Sequence, residues 1–260
     1  MCGFLFEYRK KKSSFNKRKF LNASSYIKQR GPDEAKFLNY KNISTMFYRL
    51  SIRDLSKKGS QPMWDRSKRY LIVFNGEIYN HVKLRNKLGD FGANIISHGD
   101  TVSLAYCIDK WGIFKSIELL EGMFAIGIWD RKAKCLSMAR DFAGIKPLFY
   151  GLNKNGLVFS SQYNQISNHP FFRDEEINQS VLKLYLSQHF IPPPFGLLKN
   201  TFSVFPGEIV KFDKYGKLGK KRHWKFPKFN NSVMKYTDAK NIIENEIQKS
   251  VKEQLISDVP

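Results

Sequence analysis

Residues 70–80 read Tyr-Leu-Ile-Val-Phe-Asn-Gly-Glu-Ile-Tyr-Asn, a run of β-branched and aromatic residues followed by a turn dipeptide. Residues 70–74 favour a β-strand, and Asn75-Gly76 is typical of the turn that ends one. The same alternation of short apolar runs and turn signals extends over residues 1–170. This alternation predicts a protein rich in short strands.

Further pairs of apolar runs predict two hairpins. In one, residues 124–130 and 135–139 are joined by charged residues; in the other, residues 149–150 and 157–160 flank Asn153-Lys154-Asn155-Gly156. Helical spacing of apolar residues appears over 82–88 and 101–111. Antiparallel strands with helices packed on their outer faces predict the α+β class.

The sequence changes character after about residue 168. Residues 174–189 predict a helix, and Ile191-Pro192-Pro193-Pro194 then favours an extended linker, because proline fixes φ and has no N–H to donate. Phe205-Pro206-Gly207-Glu208 predicts a turn before a strand at residues 209–212. We see no internal repeats.

The composition is that of a globular protein. The 260 residues are 42% hydrophobic and 15% aromatic, enough for a buried core in one large domain or two small ones. No apolar run approaches the roughly 18–20 residues that span a bilayer, and the N-terminus lacks the apolar stretch of a signal peptide. We therefore expect a cytoplasmic protein without a membrane partner.

Three widely separated cysteines predict a reducing compartment and no disulfide framework. The helical spacing around Cys107 predicts a core position for it, and the alternation around Cys135 predicts a strand. No Cys/His spacing indicates a zinc site, so we expect no metal.

The formal net charge of +21 is typical of proteins that bind nucleic acid or membrane surfaces, and also of a heavily solvated surface. The basic residues are scattered, with clusters only at residues 9–12, 17–19 and 217–222, in segments predicted to be loops or hairpin ends. No nucleic-acid-binding motif is recognisable. We prefer solvated surface charge. A non-catalytic basic binding protein stays as the alternative, and retention of DNA on nitrocellulose would reveal it.

Cys2 stands directly behind the initiator methionine in Met1-Cys2-Gly3-Phe4. Once Met1 is removed, one residue carries both a thiol and a free α-amine, which titrate near about 8.5 and about 7.7–8.0 in unstructured peptides. Such a residue combines a nucleophile with its own general base. Gly3 lacks a Cβ, which would let a substrate approach closely. Since any residue can follow a start codon, the hypothesis depends on the rest of the chain.

Eight short segments follow Cys2. They are, in order, Arg30-Gly31-Pro32-Asp33, Arg49-Leu50-Ser51-Ile52, Gly59-Ser60-Gln61-Pro62, Phe74-Asn75-Gly76-Glu77-Ile78-Tyr79-Asn80, Gly99-Asp100, Leu120-Glu121-Gly122-Met123-Phe124-Ala125, Ala139-Arg140-Asp141 and Gly144-Ile145-Lys146-Pro147-Leu148. In this order they resemble the glutaminase half of glutamine-dependent asparagine synthetases, which are class II amidotransferases of the N-terminal-nucleophile type. The resemblance is close over residues 1–170 and looser over 171–260.

The resemblance implies a fold and a division of the chain. Residues 1–168 would form a four-layer αββα sandwich that acts as the glutaminase domain. Residues 169–260 would hold a linker and the incomplete, helical start of an α/β synthetase domain.

The resemblance also implies the catalytic groups. Cys2 would attack the carboxamide of glutamine and form a thioester, while its α-amine takes and returns the proton. Asn75 and Gly76 would donate to the tetrahedral oxyanion from a side-chain amide and a backbone N–H. The segment of residues 30–33 is expected to be a rigid turn beside the pocket, with no chemistry of its own.

Recognition of free glutamine requires groups for its two charges. The resemblance assigns the α-carboxylate to Arg49, whose guanidinium fork matches a carboxylate. It assigns the α-ammonium to Asp100, with help from Glu77. The residues whose backbone would line the pocket are Leu50, Ser51, Ile52 and Arg53.

Residues 237–256 carry apolar residues four apart and predict an amphipathic helix, with Thr237 or Asp238 as its N-cap. In the family, the sequence after such a helix leads to a loop that cradles the pyrophosphate of ATP. Whether residues 1–260 are a fragment or a shortened protein, we expect them to hold no site for ATP, Mg²⁺ or aspartate. They should at most release ammonia and glutamate, and the apolar stripe of that helix should lack its packing partner. The stripe consists of Ile243, Ile247, Val251 and Leu255.

The expected function is thus glutamine hydrolysis that supplies ammonia for ATP-dependent amidation of aspartate. An amidotransferase of the same architecture acting on another carboxylate, such as one in surface-polysaccharide synthesis, stays open. Glutamine is the expected partner, nucleic acid is not, and a homodimer stays open.

Overall fold

The computed structural model describes residues 2–10, 14–93, 95, 97–228 and 234–259. Met1, whose removal the Cys2 hypothesis requires, lies outside these residues. So do Lys11 and Lys12 of the first basic cluster, and Pro260.

Twelve strands make up two sheets within the described part of the chain. In chain order they are β1 (Gly3–Arg9), β2 (Glu34–Tyr40), β3 (Ile43–Arg49), β4 (Met63–Trp64), β5 (Tyr70–Ile78), β6 (Gly122–Asp130), β7 (Cys135–Arg140), β8 (Phe149–Leu152), β9 (Gly156–Ser160), β10 (Thr201–Ser203), β11 (Glu208–Phe212) and β12 (Leu218–Arg222). The first sheet has the order β10-β8-β9-β1-β3-β2, and the second β12-β11-β7-β6-β5-β4. All neighbouring strands are antiparallel.

Within the residues that the structure describes, seven α-helices lie between these strands or after them. They are α1 (Lys17–Ser24), α2 (His81–Leu88), α3 (Asp100–Trp111), α4 (Ile113–Glu118), α5 (Tyr163–Ser167), α6 (Gln179–Gln188) and α7 (Tyr236–Gln254). Short 3₁₀ turns occur at Ser25–Arg30, Lys57–Gly59 and Gly89–Gly92. Among the described residues, no helix is long and apolar enough to cross a membrane.

Three hydrophobic clusters define four layers. The central cluster joins the inner faces of the two sheets, with Phe6 and Phe159 of the first sheet stacked at 4.7 Å between ring centroids. A second cluster packs the outer face of the second sheet against α2, α3 and α4. A third packs the outer face of the first sheet against α1, the Ser25–Arg30 turn and α5. This αββα arrangement confirms the α+β sandwich that the resemblance implies.

Most elements predicted in the first 170 residues are confirmed. The two hairpins correspond to β6–β7 and β8–β9, and the two helical segments correspond to α2 and α3. Cys107 is fully buried in α3, and Cys135 is buried at the start of β7. Cys107 therefore occupies the predicted core position, and Cys135 lies in the predicted strand.

The predicted turn at Asn75-Gly76 is wrong. Both residues lie inside β5, where Asn75 pairs with Ala125 and Gly76 with Phe124. The strand continues because β6 pairs with it along its whole length, through Ile78. Gly76 serves this close approach, since a Cβ there would lie 2.1 Å from the carbonyl oxygen of Met123.

The segment after residue 168 returns to the two sheets. Strand β10 extends the first sheet, and β11 and β12 extend the second, so both sheets draw on residues beyond 200. The division of the chain at residue 168 stays a prediction. The extended linker predicted at residues 191–194 is wrong, because Pro192 accepts a hydrogen bond from the N–H of Phe195 in a turn and Phe195 pairs with Phe202 of β10.

Two helix predictions need correction at their ends. Helix α6 begins at Gln179, five residues later than predicted, because the side chain of Asn178 caps it and Ile177 is paired with Leu198. Helix α7 begins at Tyr236, and neither Thr237 nor Asp238 is its N-cap. Lys235 holds that position without a side-chain hydrogen bond. The four residues of the predicted apolar stripe are exposed.

The basic clusters are not confined to loops. Residues 17–19 form the start of α1, and most of residues 217–222 lie in β12, the edge strand of the second sheet. Lysine is common on such edges, since its charge discourages further strand pairing.

Candidate active site

A small cavity brings together most of the predicted site residues. Eight of the ten line it, namely Cys2, Arg49, Leu50, Ile52, Arg53, Gly76, Glu77 and Asp100. Ser51 and Asn75 are not among the lining residues. The free volume is about 40 Å³, which is room for only a few water molecules.

Cys2 is held by the loop that follows β3. Its Sγ lies 3.4 Å from the carbonyl oxygen of Leu50 and accepts from the backbone N–H of Leu50 at 3.3 Å. Burial raises the pKa of the Cys2 thiol, and the hydrogen bond to Leu50 and the charge of Arg49 only partly oppose this. The thiol is therefore protonated at neutral pH, and an attack by its sulfur requires a base.

The role predicted for Gly3 is not supported by its surroundings. A Cβ on Gly3 would lie 2.5 Å from Cδ1 of Ile27. The glycine therefore permits close packing of β1 against Ile27 in the core beneath it.

The edge of β5 faces the cavity. The side chain of Gln61 accepts from the N–H of Phe74 at 2.6 Å, and Asp100 accepts from the N–H of Ile78 at 3.0 Å. Backbone N–H groups of alternate residues in a strand point to the same edge. The N–H of Gly76, midway between them, is thus directed to the same edge, where Gly76 lines the cavity.

Asn75 carries an unpaired donor next to this position. Its Nδ2 is buried and has no hydrogen-bond acceptor among the described residues. A buried donor without a partner costs about 1–3 kcal/mol, so such groups call for an explanation. An oxyanion that forms only during a reaction would supply the acceptor.

The guanidinium of Arg49 is fixed by the loop after β3. It donates to the carbonyl oxygen of Ser56 at 2.9 Å and also to that of Asp54, and Glu34 lies 3.6 Å away. Gly59 allows this placement, since a Cβ there would lie 2.5 Å from Nη2 of Arg49. The cation is thus buried and oriented before any ligand arrives.

Glu77 and Asp100 form an acidic pair in the cavity wall. Burial raises the pKa of Glu77 to about 8, and the neighbouring Asp100 adds to this effect while Arg53 opposes it. Burial also raises the pKa of Asp100. The ion pair between Glu77 and Arg53, at 3.6 Å, is too long for a hydrogen bond. Two buried carboxyls at one site favour a bound cation.

Arg53 contributes more than the backbone predicted for it. Its Nη2 lies 2.8 Å from Nε2 of His81. Burial lowers the pKa of His81 to about 4, and the positive charges of Arg53 and Arg85 lower it further. A neutral His81 therefore accepts a hydrogen bond from Arg53 and holds it beside Glu77.

The loop of residues 50–54 is pinned on both sides. The backbone N–H of Ser51 donates to Asp33 at 2.6 Å, which gives the predicted turn of residues 30–33 a positioning part. Asp258 donates its N–H to the carbonyl of Ile52 at 3.0 Å and accepts from the N–H of Asp54 at 2.7 Å. Residues far apart in sequence thus fix one wall of the cavity.

Sequence reasoning missed three residues of this neighbourhood. Gln61 clamps β5 through the backbone of Phe74. Arg30 and Lys146 are cations whose pKa burial lowers, and the nearby Cys2 counteracts that shift for both. All three belong to segments that carry the resemblance, but nothing in their spacing indicates a contact with this site.

Comparison with known proteins identifies the family. A family model described as a glutamine amidotransferase domain matches residues 1–224. The chain belongs to the glutamine amidotransferase domain family. The match to this amidotransferase domain extends to the residues just after β12, which agrees with sheets that continue beyond residue 168.

The relatives of this amidotransferase domain are longer proteins. It is 33% identical over 258 residues to a putative glutamine-hydrolysing asparagine synthetase 2 of Methanocaldococcus jannaschii, a match that covers 90% of this chain and 48% of the relative. It is 30% identical over 265 residues to glutamine-hydrolysing asparagine synthetase 1 of Bacillus subtilis, covering all of this chain and 41% of the relative. The chain spans about half or less of the length of these curated relatives.

Solved structures agree on the fold. Glutamine phosphoribosylpyrophosphate amidotransferase from B. subtilis superimposes with a TM-score of 0.59 at 15% identity, covering 86% of this chain and 49% of the other. At this identity the likeness supports the architecture alone.

Proposed function

We propose that this domain hydrolyses glutamine to glutamate and ammonia, with Cys2 as the nucleophile. The observation that carries the proposal is the shared cavity. The Cys2 thiol opens on the same space as the Arg49 guanidinium and the Glu77–Asp100 pair. These groups match the carboxamide, α-carboxylate and α-ammonium of glutamine respectively.

The reaction proceeds in two steps. The α-amine of Cys2, free once Met1 is removed, takes the thiol proton while Sγ bonds to the carboxamide carbon. The carbonyl oxygen becomes an oxyanion and accepts from Nδ2 of Asn75 and the N–H of Gly76. The C–N bond breaks as the same proton passes to the leaving nitrogen, which departs as ammonia. Water then attacks the thioester, and glutamate leaves with the thiol restored.

The ammonia would serve a second reaction in a longer protein. The names of the relatives support a role in asparagine synthesis. We propose that this second reaction is the ATP-dependent amidation of aspartate, with ATP and Mg²⁺ bound outside these residues. The same glutaminase would serve an enzyme that amidates another carboxylate. We propose a cytoplasmic location, which the three widely separated cysteines favour because they offer no disulfide framework.

Trapping the thioester tests the first reaction directly. Glutamine supplied together with hydroxylamine should yield γ-glutamyl hydroxamate, because hydroxylamine competes with water for the acyl enzyme. Release of ammonia without any hydroxamate at high hydroxylamine concentration would contradict a thioester.

Asn75→Ala should lower kcat for glutamine hydrolysis about 10²–10³-fold and leave KM nearly unchanged, because its donor matters most in the transition state. The unfolding temperature should stay close to that of the parent protein, since Nδ2 has no acceptor in the described chain to lose. Steady-state kinetics and thermal unfolding of the variant give both readings. A rise in KM with unchanged kcat would remove Asn75 from the oxyanion site.

Glutamine binding should release a proton below about pH 8. Glu77 is mostly protonated there, because its pKa is raised to about 8, and the α-ammonium of glutamine favours the ionised form. KM should therefore fall about tenfold for each unit of rising pH up to about 8, and level off above it. Calorimetry in buffers of different ionisation enthalpy measures the released proton, using a Cys2→Ala variant that cannot turn over.

Glu77→Gln provides the control for this pH effect. The variant should bind glutamine more weakly at pH 8 and above, and its binding should release no proton. Proton release that persisted in Glu77→Gln would assign the titration to another group.

A further inference from the structure

A second cleft lies at the end of the sandwich opposite to Cys2. Strand β1 begins next to Cys2, and Tyr8, near its other end, lines the cleft. At about 3.3 Å per residue, the length of β1 separates the two sites by roughly 20 Å. The cleft has a volume of about 530 Å³, within the roughly 300–1,000 Å³ of small-molecule sites. Its lining residues are Tyr8, Tyr40, Lys41, Asn42, Trp129, Arg131, Lys134, Lys214 and Tyr215.

The lining carries four cations and, among its described residues, no carboxylate. The cations are Lys41, Arg131, Lys134 and Lys214, and none of them forms an ion pair with an acidic side chain of the described chain. Three turns supply them, namely those joining β2 to β3, β6 to β7, and β11 to β12. A concave surface with one sign of charge attracts anions.

The acidic residues of these turns are already engaged. Asp130 pairs with Arg69 at 2.7 Å and accepts from the backbone of Lys132 and Ala133. Asp213 accepts from the backbone N–H groups of Tyr215 and Lys217. These carboxylates shape the turns and leave the cations of the cleft without a neutralising partner.

Aromatic rings accompany the cations. Tyr8 is held between Trp129, at 5.6 Å, and Phe212, at 5.5 Å between ring centroids. Tyr215 is 82% exposed at the rim, with Nζ of Lys214 4.8 Å from its ring centre. The indole N–H of Trp129 is buried without an acceptor in the described chain, a group that a ligand or water often satisfies. Exposed and half-buried rings beside lysine and arginine suit a planar ligand that carries negative charge.

We propose that this cleft binds a nucleotide, with its phosphates at the cations and its base against Tyr215 and Tyr40. A purely solvated surface would explain the charge but not the concavity or the rings. The same chemistry occurs in a free nucleotide and in single-stranded nucleic acid, and both sources are considered in the test. The site is separate from the glutamine cavity, so the proposal does not depend on the glutaminase function.

Binding of four probes by the full chain separates the contributions of phosphate charge, base and strand length to the affinity. ADP supplies phosphate and base, pyrophosphate only charge, adenosine only the base, and a short oligodeoxythymidine several nucleotides in sequence. We expect ADP to bind at least about tenfold more tightly than either pyrophosphate or adenosine, and more weakly as salt rises. An oligonucleotide that binds far more tightly than ADP would identify single-stranded nucleic acid as the source.

Matched variants locate the binding. Arg131→Glu combined with Lys214→Glu should weaken ADP at least about tenfold, and Tyr215→Ala should weaken ADP but not pyrophosphate. The control changes the same net charge elsewhere, through Lys28→Glu with Lys87→Glu, two exposed residues outside the cleft. All the substituted side chains are exposed, and glutaminase activity with the thermal unfolding curve checks that each variant is folded.

Three results would overturn the proposal. Pyrophosphate binding as tightly as ADP would show an unspecific cationic surface. Equal loss in the cleft and control variants would show a dependence on net charge alone. No binding of ADP or oligonucleotide at millimolar concentration would leave the cleft without a nucleotide ligand.

Discussion

Cys2→Ala should abolish glutamine hydrolysis, with a loss of roughly 10⁶-fold that leaves no rate above background. The variant removes the only atom that can form the thioester in the proposed mechanism. It should still bind glutamine, because Arg49, Glu77 and Asp100 are unchanged. The measurement combines an ammonia assay with calorimetric titration of glutamine.

The two other cysteines provide the internal control. A diazo-ketone analogue of glutamine should label the parent protein once per chain, at Cys2, and should not label Cys2→Ala. Burial raises the pKa of Cys107 to about 12 and also raises that of Cys135, so neither thiol ionises readily. Label found on Cys107 or Cys135, or activity in Cys2→Ala, would contradict the assignment of the nucleophile.

Arg49→Ala should raise KM for glutamine by about 30- to 5,000-fold, which corresponds to about 2–5 kcal/mol for leaving a desolvated charge without its partner. The effect should fall on binding and should be much smaller in kcat. Arg49→Lys should recover only part of the affinity, since lysine keeps the charge but loses the fork that matches a carboxylate.

A substrate analogue distinguishes recognition from damage to the loop. The parent protein should prefer glutamine strongly over an analogue without the α-carboxylate, and Arg49→Ala should lose that preference. This control is needed because Arg49 also holds the carbonyl groups of Asp54 and Ser56. If Arg49→Ala and Asn75→Ala lowered the same kinetic parameter equally, both role assignments would be wrong.

The strands and helices that form from local pattern could be predicted from the sequence. Residues 124–139 form their hairpin as expected because each run is apolar on its inner side and the connecting residues are charged and exposed. The predicted turn at Asn75-Gly76 was wrong because this dipeptide favours a turn only when its local preference decides the structure. Here the pairing with β6 overrides that local preference, which no short-range signal reveals.

The site was also predictable only in part, because some of its contacts come from tertiary packing and not from local sequence. Eight of the residues that the resemblance assigns to the site line one cavity, although they are spread over 100 positions of sequence. The approach of Arg30 and Lys146 towards Cys2, and the clamp from Gln61, arise from how the two sheets and their loops pack. Such contacts depend on tertiary geometry, so they cannot be predicted from the spacing of these residues in the sequence.

Two hydrogen bonds join the loop of residues 50–54 to Asp258, whose backbone N–H donates to Ile52 and whose carboxylate accepts from the N–H of Asp54. They have a consequence for how the glutamine cavity opens. The cavity volume of about 40 Å³ is smaller than a glutamine molecule, and we therefore expect its wall to move when the substrate enters. If the movement includes residues 52–54, the hold on Asp258 changes with it. Glutamine binding would then change how tightly the segment around Asp258 is held. By thermodynamic reciprocity, a partner that fixes this segment would alter the affinity for glutamine by the same factor. The segment around Asp258 would in this way respond to whether glutamine is bound in the cavity.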